Sequence, residues 1–229
     1  MHVPDGFLDA PTSVATAVVA AAGISYALRG ARRELDDRTA PMAGLVATFV
    51  FAGQMMNFPV GAGTSGHLLG GALAAVLVGP WSAVLCISVV ILVQGLLIAD
   101  GGITALGTNI TLMALVGVGV GWAVFCLLRS VLPNRASVIA PAAAVAALVT
   151  VPVVAAVFAG LFAIGGTAPV EDAKVLVAMV GWHVFIGIGE AVITGLVVAS
   201  VMATRPDLVY GARPVMAARQ LEIREVPAR

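Results

Sequence analysis

Charge is what this sequence has least of. Asp, Glu, Lys and Arg make up 10% of its 229 residues, against about 25% in soluble domains. That shortage, with 60% hydrophobic residues, excludes a soluble globular class and predicts one integral-membrane domain over 1–229. Cysteine is nearly missing too. Cys86 and Cys126 sit apart in apolar runs, which argues against a disulfide framework or a thiolate metal site. No Lys or Arg precedes Arg29, so the start lacks the basic region of a secretory signal. Met1 is therefore expected to be the mature first residue, because His2 is too large to permit removal of the initiator. The GAGTSG run has no following Lys-Ser/Thr, so it is no phosphate-binding loop, and HExxH is absent. No ATPase centre, organic cofactor, catalytic residue or nucleic-acid partner is expected.

Apolar spans are read at 12–29, 41–57, 67–79, 81–99, 107–130, 138–165 and 175–204. The step 67–99 is divided because Gly79-Pro80 interrupts it, and Pro disfavours helix at the residue before it. The few charges are unevenly spread. Arg29, Arg32, Arg33 and Arg38 fall in the first loop. Arg129 and Arg135 flank the fifth, and Arg205, Arg213, Arg219, Arg224 and Arg229 lie in the tail. Seven spans with the N-terminus outside put all of these in the cytoplasm and only Lys174 outside. The expected fold is an all-α bundle of seven transmembrane helices over 12–204. A tail of 1–11 lies outside and a basic tail of 205–229 inside.

The three histidines are His2, His67 and His183. In the sequence MHVPDG, the Met1 amine, the His2 amide nitrogen and His2 Nδ1 lie along one short covalent path. They can close two adjacent chelate rings around a divalent metal. Three nitrogens in a plane, with a fourth from elsewhere, suit Ni(II) or Cu(II), and Co(II) less strictly. The 58–66 loop falls on the same side as the tail. His67 after it is read as opening the third helix, capped by Thr64 or Ser65 and held neutral by the helix dipole. Alone it reads as a capping or core histidine; the chelating tail on its side favours a ligand.

Other polar residues punctuate the spans. Gln54 and Asn57, at i, i+3 on one helix face, are candidates to orient a metal-bound histidine or simply to bond between helices. His183 and Glu190, at i, i+7 on the last span, suggest proton handling or a polar relay remote from the outer site. The rival is a protonated Glu190 satisfied by a neighbouring helix. Gln94, Asp100, Asn109 and Thr111 add polar points that the sequence leaves unranked. Ser13, Ala17 and Ala21 make a smooth face on the first span, suited to internal packing or to a membrane partner.

Three segments carry a resemblance: MHVPDGF at the start, NFPVGAGTSGHLLGG at 57–71 and WHVFIGIGEAVIT at 182–194. They resemble the CbiM/NikM family, substrate-specific membrane components of energy-coupling-factor transporters for cobalt and nickel, along essentially the whole chain. The resemblance implies seven helices with the N-terminal tail inserted from outside. It implies a metal held by Met1 through its amine, by His2 through amide and imidazole, and by His67. Co2+ or Ni2+ would be the transported substrate, supplied for cobalamin synthesis or for nickel enzymes. Implied partners are a transmembrane coupling subunit, ATPase subunits and a small accessory membrane subunit, supplied separately or absent. The location implied is a bacterial or archaeal cell membrane. Rival readings are a stand-alone metal or proton-coupled permease and an intramembrane metalloenzyme.

Overall fold

The computed structural model describes residues 1–36, 39–61 and 64–224. Arg38, Arg229 and the Ala62–Gly63 tip of the glycine-rich loop lie outside the described residues. Helix α1 covers Ala10–Glu34. The Asp9 carboxylate starts it by accepting from the Thr12 amide at 2.9 Å, with Pro11 in the first turn. Its buried face is Thr12, Thr16, Ala20, Ala27 and Ala31. Such small side chains let α1 lie close against its neighbours. The Ser13–Ala17–Ala21 stripe is a different face, and Ala17 and Ala21 on it are exposed.

Helix α2 covers Ala40–Gln54. An antiparallel hairpin follows, β1 at Phe58–Gly61 and β2 at Thr64–Gly66. Helix α3 covers only Gly71–Val78, with every residue buried, and α4 begins at once with Pro80–Val93. Gly79 joins them at φ 93°, a conformation open to glycine. Helix α4 then widens into a π turn at Gln94–Ile98. Helix α5, Leu106–Asn109, runs through a second π segment, Ile110–Val116, into α6 at Gly117–Val131. Helices α7, Ile139–Gly165, and α8, Asp172–Thr204, pack along each other. A short helix α9, Arg213–Arg224, lies in the tail.

Among the described residues, five helices are long and apolar enough to cross a membrane, against seven expected. The shortfall lies at α2 and α3. With 15 residues, α2 spans about 22 Å; with 8, α3 spans about 12 Å, short of a hydrocarbon core of about 30 Å. The 67–79 stretch is thus not one helix. His67 is not in a first helical turn, and neither Thr64 nor Ser65 caps α3, because both belong to β2. Gly70 precedes α3 at φ 75°, pressed against Val50 where a side chain would collide. That left-handed residue delays the helix.

The connections sort into two ends. At one end the N-terminal tail meets the 99–105 loop and the start of the α7–α8 connection, through Gly102 N–H to Val3 O at 2.9 Å and Thr167 N–H to Phe7 O at 3.1 Å. At the other, Glu34 meets Ser82 and Arg213, while Arg129 and Arg213 line one 490 Å³ cavity with Tyr210. Lys174, paired with Glu171 at 3.3 Å, stands at the start of α8.

Candidate metal centre

The tail is driven into the bundle: Met1 is 0%, His2 5% and Val3 1% exposed. A chain start so deep needs partners for its backbone groups. Asn109, at the C-terminus of α5, supplies two of them. Its Oδ1 accepts the Val3 amide at 2.7 Å and its Nδ2 donates to Val3 O at 3.2 Å. Asp5 accepts from the Thr104 amide at 2.7 Å and from its hydroxyl at 2.5 Å. Phe7 packs against Phe158 and Phe162, and Leu8 bridges to Gly166. The first eight residues are thereby fixed on one path.

That path brings His2 onto His67. The imidazoles stack with centroids 4.6 Å apart and planes at 29°. Each ring has one nitrogen hydrogen-bonded and one without a hydrogen-bond partner. His2 Nε2–H donates to Gln94 Oε1 at 3.2 Å, and Nδ1 lies 3.3 Å from Asp100 Oδ1. His67 Nδ1–H donates to Leu68 O at 2.7 Å, which leaves Nε2. A hydrogen bond at one nitrogen sets which nitrogen is free for a metal. Burial drives the pKa of the Met1 amine down to about 4, with the charge of Asp100 opposing, so the amine is a free base at neutral pH.

Dry, unpaired polar atoms are uncommon in a folded interior. Here His2 Nδ1, His67 Nε2, His183 Nε2, Gln54 Oε1 and Gln94 Nε2 are all buried without a partner. Among the described residues no trio of His, Cys, Asp or Glu gathers tightly enough to hold a metal alone. Nitrogen donors on the backbone would have to complete any such set, and the Met1 amine and His2 amide stand beside the two rings.

The remaining candidates fall out differently. Gln54 is fully buried, and its Nε2 donates to Leu69 O at 2.9 Å, which ties α2 to the segment carrying His67. Asn57 is exposed and lies beyond the end of α2, so the expected shared helix face does not exist. His183 is fully buried with Nδ1–H donating to Met179 O at 2.6 Å. Glu190, expected far from the outer site, accepts from the Leu69 amide at 2.7 Å and the Gly70 amide at 2.9 Å. It therefore holds the backbone two and three residues past His67 and stands at the positive end of α3. Gln94, Asp100 and Asn109 were unranked in the sequence yet touch the tail directly. Their only sequence signal was an Asp followed by two glycines after an apolar run; the π turns that aim them leave no pattern.

Comparison with known proteins agrees with this architecture. Residues 2–208 match the family model described as the cobalt uptake substrate-specific transmembrane region, CbiM. A protein of Haloquadratum walsbyi is 40% identical over 210 residues, 92% of this chain and 94% of its own. The fused nickel transport protein NikMN of Rhodobacter capsulatus is 36% identical over 236 residues, 97% of this chain and 68% of its own. The crystal structure of a truncated transition metal transporter superposes with a TM-score of 0.82 at 29% identity, covering 89% of this chain and 99% of that one. A buried N-terminal tail, two facing imidazoles and a match over nearly the whole length lead to one conclusion: the chain belongs to the CbiM family, whose members are cobalt and nickel transport proteins of the membrane.

Proposed function

We propose that this chain is the substrate-binding membrane component of an energy-coupling-factor importer for Co2+ or Ni2+. The ion enters from outside and is held by the Met1 amine, the His2 amide nitrogen, His2 Nδ1 and His67 Nε2. One observation carries the proposal: two stacked imidazoles in a buried site, each with one ring nitrogen hydrogen-bonded and the other without a hydrogen-bond partner. The preset tautomers spare the site reorganisation when the metal arrives. Four nitrogens in a plane discriminate against Zn(II), which prefers a tetrahedron, and against Mg(II) and Ca(II), which need oxygen. The chain crosses seven times, N-terminus outside and C-terminus inside, with the third crossing made by the extended 67–70 segment together with α3. Binding energy comes from the ion and transport energy from separate ATPase subunits acting through a coupling membrane subunit.

The test is competitive titration of purified protein with Co2+ and Ni2+, comparing native Met1, an N-terminally extended form and His67→Ala. Tight binding by the native form alone is the expected outcome. Equal affinity in all three disproves the nitrogen site. Uptake in cells with and without ATPase partners separates an importer component from a stand-alone permease.

A further inference from the structure

The nitrogen set leaves a charge unbalanced. A divalent ion bound by an amine, one deprotonated amide and two neutral imidazoles keeps a net positive charge. Met1, His2 and His67 are all but inaccessible, and a buried charge without a partner is costly. The nearest carboxylate is already in place. Asp100 Oδ1 lies 3.3 Å from His2 Nδ1, and that nitrogen has no hydrogen-bond partner. The Asp100 side chain is 20% exposed.

The backbone holds it there. The π turn ends at Ala99, which takes a left-handed conformation at φ 57°, and the Asp100 amide bonds to Gln94 O at 3.0 Å. Gly101 follows at φ 97°, so close to the tail that a Cβ would sit 3.3 Å from His2 Cβ. π turns of this kind recur at functional sites. The neighbouring carboxylates are committed elsewhere: Asp5 to Thr104, and Glu190 to Leu69 and Gly70.

We infer that Asp100 completes the metal site, donating a carboxylate oxygen from outside the nitrogen plane and neutralising the bound ion. The inference rests on the nitrogen site proposed above and extends it to metal choice. A plane of four nitrogens suits Ni(II) and Cu(II). A fifth, oxygen donor suits Co(II), which is not confined to a plane. Asp100 thus tilts the site toward cobalt.

The test uses full-length protein with native Met1, and both Asp100→Asn and Asp100→Ser, each checked by a metal-free melting curve. Co2+ and Ni2+ are titrated, and Cu2+ serves as an absorption probe of the plane. The expected result is a loss in Co2+ affinity of about 10–100-fold, a smaller loss for Ni2+, and a visible Cu2+ band moved to shorter wavelength. Unchanged affinities and band overturn the inference. So does an equal loss for both metals with an unmoved band, because a merely loosened tail would give that. Failure of the unmutated protein to bind any of the three metals overturns the nitrogen site itself, and Asp100 with it.

Discussion

In the proposed site, what matters at His2 is which ring nitrogen is committed to a hydrogen bond. Gln94 takes Nε2–H, so Nδ1 is left beside Asp100. Gln94→Ala is expected to free the ring and weaken Ni2+ binding by about 10–100-fold, as outer hydrogen-bond partners of metal ligands do; titration at constant pH measures it. The proposed site needs the Met1 amine as an amine. A tag ahead of Met1 turns it into an amide and puts bulk where there is no exposed surface. Tagged protein should lose tight binding, and cleavage to the native terminus should restore it. Asp5 and Asp9 hold the tail on either side of the buried Phe7 and Leu8. Hydrogen bonds from Thr104 and Thr12 hold their pKa values below the usual 3.8. Such groups stabilise the folded form above the unfolded pKa and lose that contribution as pH falls through the lower folded one. Tail docking, followed by amide hydrogen exchange at Val3, should therefore be constant above about pH 4 and weaken below it. Asp5→Asn should already show the weakened state at neutral pH.

Among the elements, α3 is the unusual one. It has only 8 residues, is wholly buried, and has no side-chain cap of its own. Glu190 from α8 takes the amides just ahead of its first turn, and Glu34 from α1 takes amides within the first turn of α4, accepting from the Trp81 amide at 3.2 Å and the Ser82 amide at 2.7 Å. Two buried carboxylates thus stand where two helices start in immediate succession, each satisfied by backbone donors and the positive helix end. Glu190→Gln keeps the shape but replaces one acceptor oxygen by a donor. The expected cost is about 1.5–3 kcal/mol of stability, the range for a hydrogen bond to a charged group, read from denaturant unfolding in detergent. Metal affinity should fall with it, because the same backbone carries His67. An intact melting curve and intact binding would show that the Leu69 and Gly70 amides are indifferent to the charge.

For the whole molecule, the sorting of loops into two ends is the testable consequence. The hairpin holding His67 and the tail belong to one end, and the arginine-rich connections to the other. In a Cys126→Ala background, Pro59→Cys and Asn134→Cys place thiols at two exposed positions. An impermeant maleimide added to intact cells should label the first and not the second. Labelling of both from one side would reject the proposed orientation, whatever the number of full-length helices. One face of α8 remains open, with Val177, Phe185, Val192 and Leu196 more than half exposed, as expected of a surface facing lipid.

Periodicity and composition by themselves determined the membrane class, the break at Gly79-Pro80 and the long helices, and singled out His2 and His67, whose rings the structure stacks. These are local properties: hydrophobic length, backbone stiffness at proline, and the covalent spacing of Met1 and His2. Tertiary structure alone decided the rest. It shortened the third span to eight residues, because the left-handed Gly70 against Val50 is a packing outcome. It moved Asn57 out of the site by ending α2 three residues early. It brought Glu190 to the His67 segment across 121 positions of sequence, and Asp100 and Asn109 to the tail across a similar distance. Sequence carries no sign of such contacts, since a hydrogen bond between distant segments depends on how whole helices lie together and not on the residues flanking either partner.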